Sequence, residues 1–231
     1  MKAAKRMDPA RLQEPGDARL EDESPKLWAY GFSEVAQKLL TSAVRCFAEK
    51  GFHATTTRDI TAGADLSPAA LYVHFHAKEE VLYTISRVGH KSALSAVQGP
   101  EAEDASLHLR SIFSRYVIWH ARHHVTGRVN QHELAALSGE HYEEVRLIRQ
   151  ETNEVFHRAV ARGISDGSFV DIDVNRVVRA MNSLAIDLVR WYRLDGSESP
   201  EQIGEFYADL ALGMVTNPVL AKASRASRPA T

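Results

Sequence analysis

Residues 57–78 read TRDITAGADLSPAALYVHFHAK and hold two short segments on either side of an Asp-Leu-Ser turn at 65–67. In the first segment Ile60 precedes a Gly–Ala pair by three and four residues, so a hydrophobic side chain shares its helix face with two small ones. In the second segment Leu71 and Phe75 lie four residues apart and also share a face. The stretch therefore predicts two helices packed across a tight turn, the layout of a helix–turn–helix whose second helix enters the major groove of DNA.

The starts of both helices carry capping signals. Thr56 or Thr57 can cap the first helix, because a hydroxyl at that position accepts a hydrogen bond from an unpaired backbone N–H. Ser67 is expected to cap the second helix, and Pro68 takes its first position, where a missing N–H costs nothing. These signals place the start of the second helix at residue 68.

The outward side of this unit supplies the predicted DNA contacts. Tyr72 can reach a phosphate or pack locally, and His74 has the same two alternatives. The second helix has no Arg, Asn or Gln for a bidentate base contact, so readout is expected to depend on apolar contacts, Arg58 and DNA shape. The predicted DNA-binding residues are Thr57, Arg58, Ser67, Pro68, Ala69, Ala70, Tyr72, His74 and Lys78.

Composition limits the class of protein. The 231 residues are 44% hydrophobic and 25% charged, which is ordinary for a soluble globular chain, and no apolar run reaches the roughly 18 residues of a membrane span. The single cysteine, Cys46, cannot form an internal disulfide, so a cytoplasmic location is expected. Residues 31–78 contain five basic and four acidic side chains, a net of only +1, so useful DNA affinity is expected to need a dimer.

Helical periodicity extends over nearly all of the chain after Gly31, so an all-α fold of about nine helices is expected. The body helices are predicted at about 103–124, 128–137, 140–166, 173–194 and 200–215, with a break at Gly127. The predicted divisions are a disordered N-terminal arm over 1–30, a DNA-binding domain over 31–78, a helical body over 79–217 and a disordered tail over 218–231.

Several motifs around the helix–turn–helix point to a known family. They are FAEKGF at 47–52, TT at 55–56, ITAGA at 60–64, LYVHF at 71–75 and KEEVL at 78–82. Over about residues 33 to 84 this ordered set resembles the DNA-binding domain of the TetR family of bacterial repressors. The resemblance implies a three-helix DNA-binding head followed by a helical body that binds a ligand, and near-palindromic double-stranded operator DNA as the partner.

The resemblance also implies that the last two long helices pair with those of a second subunit, giving a homodimer. Both predicted helices carry an apolar stripe, although such stripes are usually ordinary core. The first stripe consists of Val177, Val178, Met181, Leu184, Ala185, Leu188 and Val189. The second consists of Ile203, Phe206, Tyr207, Leu210, Ala211 and Met214.

The body is similar to a TetR subgroup that regulates steroid and fatty-acid catabolism, through RVNQHELAAL at 128–137, GSF at 167–169 and WYR at 191–193. That resemblance implies an acyl-CoA thioester as effector, with Trp119, Arg128 and Trp191 as its best candidate contacts. Plain core is the alternative for any aromatic residue, and plain surface for any arginine. Further candidates are Phe113, Tyr116, Val117, Phe156, Met181 and Leu184 for the acyl group, and Arg115, Arg122, Arg146, Arg190 and Arg193 for the phosphates.

Other chemistry has weak support. His120 and His124 share a helix face next to His123, but no HExxH or CxxC element accompanies them, so a polar helix end is favoured over a metal site. No GxSxG, P-loop or GxGxxG element is present, so the chain is not expected to be an enzyme or to carry a cofactor. The alternative function is a small-molecule-binding protein or enzyme with a non-functional DNA-binding head.

Overall fold

The computed structural model describes residues 20–221, and all regular structure among them is helical. Nine α-helices lie between Glu34 and Thr216, which confirms the predicted fold class. They are α1 (Glu34–Lys50), α2 (Thr57–Gly63), α3 (Pro68–His74), α4 (Lys78–Val97), α5 (Ala105–Arg122), α6 (His124–His132), α7 (Gly139–Ser165), α8 (Val174–Trp191) and α9 (Pro200–Thr216).

Helices α1 to α3 form the head. Ser33 caps α1 through its side chain, and Gly51 ends that helix with a φ of 79°, a conformation that favours glycine. The hydrophobic cluster of the head contains Phe47 and continues into Val81 of α4 and Val125 of α6. The core of the head therefore crosses the predicted boundary at residue 78, and α4 and α6 are packed directly onto the head.

The body is built around α5, which packs against α4, α7, α8 and α9. Phe113 of α5, Phe156 of α7 and Met181 of α8 are all completely buried in its core. Helices α4 to α8 border the cavity described below. No helix among residues 20–221 is both long enough and apolar enough to cross a membrane.

The predicted break at Gly127 is wrong, because the chain turns four residues earlier, at His123. Gly127 lies inside α6, and a Cβ there would be 2.8 Å from Cγ1 of Val189. This glycine is needed for the close approach of α6 to α8 and not for a turn. A glycine in a helical pattern can mark either a turn or a close contact between two helices, and only the packing distinguishes the two cases.

The predicted disordered arm over 1–30 is wrong for its last part. Residues 20–28, which we call the N-terminal strap, pack along the molecule, and Trp28 is completely buried. Asp22 Oδ2 accepts a hydrogen bond from the backbone N–H of Val125 at 2.7 Å, and Trp28 Nε1 donates to Thr41 Oγ1 at 2.9 Å. The strap thus joins α6 of the body to α1 of the head.

The remainder of that arm, residues 1–19, lies outside the described residues, as does most of the predicted disordered tail, from 222 to 231. The tail prediction is also wrong at its start, because residues 218–221 are helical.

Candidate nucleic-acid interface and body cavity

Helix α3, which the sequence predicts to be the DNA-reading helix, is held by buried side chains, as expected. Ile60 and Leu71 are completely buried, and Phe75 is nearly so. A Cβ at Gly63 would lie 2.5 Å from Oγ of Ser42, whose hydroxyl donates to the Ile60 carbonyl. Only a glycine lets α2 approach α1 this closely, so the small residue fixes the position of the whole unit.

The start of α2 is closed by a reciprocal cap. Thr56 accepts from the Asp59 N–H, and the Asp59 carboxylate accepts from the Thr56 N–H and hydroxyl. These hydrogen bonds, together with Lys50 at 3.0 Å, hold the pKa of Asp59 well below its usual range. Thr56 is therefore the cap, which leaves the side chain of Thr57 free for other contacts.

The outward face of α3 carries the predicted contacts. Tyr72 is 57% exposed, and its hydroxyl lies 3.5 Å from Thr57 Oγ1. Arg58 is exposed and makes no ion pair within residues 20–221. Ser67, Pro68 and Ala69 are also exposed, while Ala70 and His74 are half-buried. The face combines small apolar groups, hydroxyls and one uncommitted cation, which suits shape readout and phosphate contact.

The turn between α2 and α3 departs from the sequence prediction at Ser67. Its side chain makes no capping hydrogen bond; instead its carbonyl accepts the Ala70 N–H at 3.0 Å. The hydroxyl therefore stays available for an outside partner. Asp65 has a φ of 55°, a left-handed conformation that aspartate tolerates better than most residues.

Lys78 has a structural role that the sequence did not indicate. Its ammonium donates to the carbonyls of Phe52 and Thr55, each at 2.6 Å, and lies 4.2 Å from the centre of the Phe52 ring. Two of its three donors are therefore committed to the loop before α2, and one is left for a phosphate.

The body contains a half-open cavity of ≈ 540 Å³. Its wall is mostly polar, which differs from the apolar cleft expected from the sequence. The lining is therefore more polar than the mostly apolar walls that are the norm for small-molecule sites. The lining residues are His90, Ala93, Tyr116, Trp119, His120, Gly127, Asn130, Gln131, Arg149, Thr152, Asn153, His157, Asn175, Val178, Arg179, Asn182, Ser183 and Ile186.

Some residues of this wall also carry polar atoms that are fully buried, and so not exposed to the cavity, and that have no hydrogen-bond partner among the described residues. They are Nε2 of His90, both amide heavy atoms of Asn130 and Oδ1 of Asn182. Burial lowers the pKa of His90 to about 3 and that of His120 to about 4, with a smaller contribution from Arg149 at His90. Both rings are therefore neutral at pH 7.

A second recess of ≈ 540 Å³ adjoins the cavity and shares two of its wall residues, Arg149 and Asn153. Its other lining residues include Tyr142, Arg146 and Gln150 of α7. Arg146 is paired with Glu143 at 2.7 Å, whereas Arg149 makes no hydrogen bond or ion pair within residues 20–221. A half-buried, uncommitted guanidinium thus lies between the cavity and a second recess lined by two arginines.

Of the three best predicted ligand contacts, the structure places one in the cavity. Trp119 lines the wall, and its Nε1 donates to Ser92 Oγ at 3.0 Å. Trp191 does not line the cavity. It lies five residues beyond Ile186, the last cavity-lining residue of α8, and is rotated from it by about 140° around the helix axis. Arg128 does not either: it is exposed and lines a separate ≈ 270 Å³ recess.

The sequence interpretation missed the polar wall residues, above all Asn130, Arg149 and Arg179. A signal for one group was present. On α7 the residues Arg149, Asn153 and His157 recur every four positions, which forms a polar stripe beside the apolar one. Such a stripe usually faces solvent, and the sequence alone does not show that this one borders a cavity.

The three neighbouring histidines are structural. His120, His123 and His124 are each less than 10% exposed, so the expected polar helix end is in fact buried. The Nδ1 atoms of His120 and His124 lie 2.9 and 3.1 Å from the carbonyls of Tyr116 and Ala121. Within the part of the chain that the structure describes, no group of three or more His, Cys, Asp or Glu residues is arranged to hold a metal ion.

The two apolar stripes have different environments. Most of the α8 stripe, including Met181 and Leu188, is buried within the subunit and is plain core. The α9 stripe is divided: Ile203 packs inward, whereas Phe206 and Leu210 are 55% and 40% exposed and lie one turn apart. An exposed apolar pair therefore runs along the outer side of α9.

Comparison with known proteins identifies the family. Residues 39–84 match the family model described as "Bacterial regulatory proteins, tetR family", and residues 102–215 match that for "Tetracyclin repressor-like, C-terminal domain". The chain is 30% identical over 188 residues to the HTH-type transcriptional repressor KstR2 of Mycolicibacterium smegmatis, covering 78% of this chain and 89% of that protein.

Solved structures agree with this assignment. A TetR-family regulatory protein from Rhodococcus RHA1 has a TM-score of 0.74 and 40% identity, covering 80% of this chain and 98% of that one. AibR, solved with isovaleryl coenzyme A and operator DNA, has a TM-score of 0.67 at 22% identity, covering 79% and 98%. The family and the named relatives are regulators and not enzymes, which confirms that prediction. The chain belongs to the TetR family of bacterial regulatory proteins.

Proposed function

We propose that this chain is a cytoplasmic, homodimeric repressor that binds near-palindromic double-stranded DNA and releases it when an acyl-CoA thioester occupies the body. The observation that carries the proposal is the pair of adjoining spaces that share Arg149. The cavity offers room for an acyl group, and the adjoining recess offers cations for nucleotide phosphates. A guanidinium suits that task because its fork of donors matches phosphate oxygens.

The head supports DNA binding in three ways. The anchors of α3 are buried, Tyr72 and Arg58 face outward, and the free Ser67 hydroxyl adds a further donor. The repressor name of the relative from Mycolicibacterium smegmatis points to the same action. A non-functional head, the alternative interpretation, would not be expected to keep this combination of buried anchors and uncommitted outward groups.

Two further observations support the effector class and the assembly. AibR has the same fold and was solved with a coenzyme A thioester and operator DNA, so this architecture accommodates both ligands in one protein. The exposed pair Phe206 and Leu210 offers an apolar surface for a second subunit. Two subunits would also supply the phosphate contacts that one weakly charged head lacks.

The test is a titration of the purified protein with the DNA upstream of its own gene, at several salt concentrations, with and without CoA thioesters of different acyl length. The molar mass in solution is measured on the same samples. Arg58→Gln should weaken DNA binding about tenfold or more and reduce the salt dependence by about two ions per dimer, because one phosphate contact is lost in each subunit. Arg45→Gln is its control, since Arg45 is an exposed arginine on the strap side of the head.

Arg149→Gln should weaken thioester binding by about tenfold or more while leaving DNA affinity unchanged, because a charge-assisted hydrogen bond is lost. Arg158→Gln, on the same helix but outside both spaces, should change neither. Specific DNA binding that no thioester disturbs would refute the effector class and keep the regulator. A protein without sequence-selective DNA binding would refute the repressor itself.

A further inference from the structure

The wall of the cavity carries positive charge without acidic side chains. Arg149 of α7 and Arg179 of α8 both line it, and its lining in the described part of the chain includes no Asp or Glu. Neither guanidinium makes a hydrogen bond or an ion pair within residues 20–221. The other two arginines of α8, Arg176 and Arg190, are each paired with an aspartate one turn away. The two cavity arginines are therefore left for an outside partner.

These two arginines lie at opposite ends of the cavity. A Cβ at Gly127 of α6 would be 2.8 Å from Cγ1 of Val189, so the C-terminal half of α8 lies at the α6 end. Arg149 is at this end too, because the recess that it shares with the cavity is also lined by Leu134, just after α6. Arg179 lies ten residues before Val189, or about 15 Å along the axis of α8. It is therefore at the far end.

The packing of α7 on α8 brings His157 to the same far end. The two helices are joined by the short segment 166–173, so they run in opposite directions. Asn182 Nδ2 of α8 donates to Asn153 Oδ1 of α7 at 2.6 Å, which aligns the helices at this point. His157 follows Asn153 by one turn and Arg179 precedes Asn182 by one turn, so both lie on the same side of this bond.

The far end suits an anion better than a hydrocarbon. A hydrocarbon there would displace water from Arg179, and the guanidinium would lose hydration without gaining a partner, which is costly for a charge. A carboxylate would offer two oxygens to the guanidinium fork and would neutralise its charge. His157 and Asn175 lie in the same wall and can donate to the remaining lone pairs of the carboxylate.

We propose that Arg179 binds a carboxylate on the acyl group of the effector, which makes the effector a thioester of a dicarboxylic acid. This inference rests on the proposed function, because the nucleotide phosphates are assigned to the Arg149 end of the same cavity. The acyl chain then lies between α7 and α8 and joins the two cationic ends. Arg149 binds the CoA part, which all such thioesters share, whereas Arg179 selects among acyl groups.

The experiment uses three six-carbon probes, hexanoyl-CoA, 6-hydroxyhexanoyl-CoA and adipoyl-CoA, titrated calorimetrically into the full-length protein. The wild type should bind adipoyl-CoA about tenfold or more tightly than the other two, because only its second carboxylate forms a charge-assisted pair with a guanidinium. The hydroxyl compound separates the effect of charge from that of polarity. Arg179→Gln should abolish the preference by weakening adipoyl-CoA alone, and Arg179→Glu should reverse it.

Two control variants test the assignment of the two ends. Arg176→Gln removes a cation of α8 that does not line the cavity, so the affinity for all three probes should be unchanged. Arg149→Gln should weaken all three probes by the same factor and keep the preference for adipoyl-CoA, because it acts on the CoA part.

The outcomes separate the two proposals. The inference would be overturned, and the thioester effector left intact, if adipoyl-CoA bound no more tightly than either other probe or if its preference persisted in Arg179→Gln. If no thioester binds, the effector class is wrong, and the free acids adipate and hexanoate are compared by thermal shift. Stronger stabilisation by adipate that Arg179→Gln removes would then support the inference. Equal effects of the two acids, or an adipate effect that the variant keeps, would overturn it.

Discussion

The hydroxyl of Ser24 joins the N-terminal strap to two donors of α6, next to the hydrogen bond between Asp22 and Val125. Its Oγ accepts from the Thr126 hydroxyl at 2.6 Å and from the Thr126 N–H at 3.2 Å, and it donates to Asp22 Oδ2 at 2.8 Å. Ser24 is 2% exposed and Thr126 is completely buried. Ser24→Ala therefore removes the acceptor from two buried donors at once.

The expected loss of stability follows from the number of donors that are left unpaired. Each buried group left unpaired costs about 1–3 kcal/mol, so Ser24→Ala, which leaves two donors unpaired, should destabilise the protein by about 2–6 kcal/mol. Thr126→Val removes only the hydroxyl donor and keeps the shape, so about 1–2 kcal/mol is expected. Because the two side chains share one bond, the double variant should cost less than the sum, with a coupling of about 1–2 kcal/mol.

Urea unfolding of the wild type, the two single variants and the double variant gives the double-mutant cycle. Amide hydrogen exchange at Val125 and Thr126 reports opening of the strap directly. Both amides should exchange faster in Ser24→Ala, because their acceptors belong to the strap. The variant should also release DNA less completely on adding effector, since the strap links cavity-lining α6 to α1. The reasoning would be refuted if the losses in unfolding free energy of the two single variants added to that of the double variant within about 0.5 kcal/mol and amide exchange were unchanged.

Two further predictions test the core and the buried histidines. Gly163→Ala should lower the stability measured by chemical denaturation, because its Cβ would lie 2.1 Å from the buried Phe169 ring. This clash should outweigh the gain in helix propensity, which is up to about 1 kcal/mol. Gly139→Ala is the control: it lies in open space on the same helix and should be neutral or slightly stabilising. Stability should fall as pH drops from about 6.5 towards 4, because His90 and His120 stay neutral in the fold while the unfolded chain takes up protons. His120→Gln should make the pH dependence of the melting temperature shallower, and an unchanged slope would contradict the role of burial.

The head could be predicted almost residue by residue because its signals are local. Capping threonine, Pro68 at the first helical position and apolar residues at spacings of three and four all act within one or two turns. The prediction failed where a side chain had two possible partners. Ser67 was expected to cap α3 but its hydroxyl is free, and Lys78 turned out to bind two carbonyls more than twenty residues away.

The body was harder to predict, since a cavity is a relation among helices that are far apart in sequence. The expected aromatic cleft is largely core, and the wall consists of amides, histidines and arginines drawn from five helices. The strap was predicted to be part of a disordered arm because its composition is highly charged. Its hydrogen-bond partners, Val125 and Thr126, lie about a hundred residues away and leave no local signal in the sequence.

The sequence by itself determined the helical fold, the family, the position of the reading helix and the residues on its outward face, because helix periodicity and capping are properties of short segments. Only the tertiary structure decided which polar residues border the cavity, that Arg149 lies between the two spaces and that Asn130 has no partner. The physical reason is that burial and hydrogen-bond satisfaction depend on the packing of distant segments, which no local pattern records.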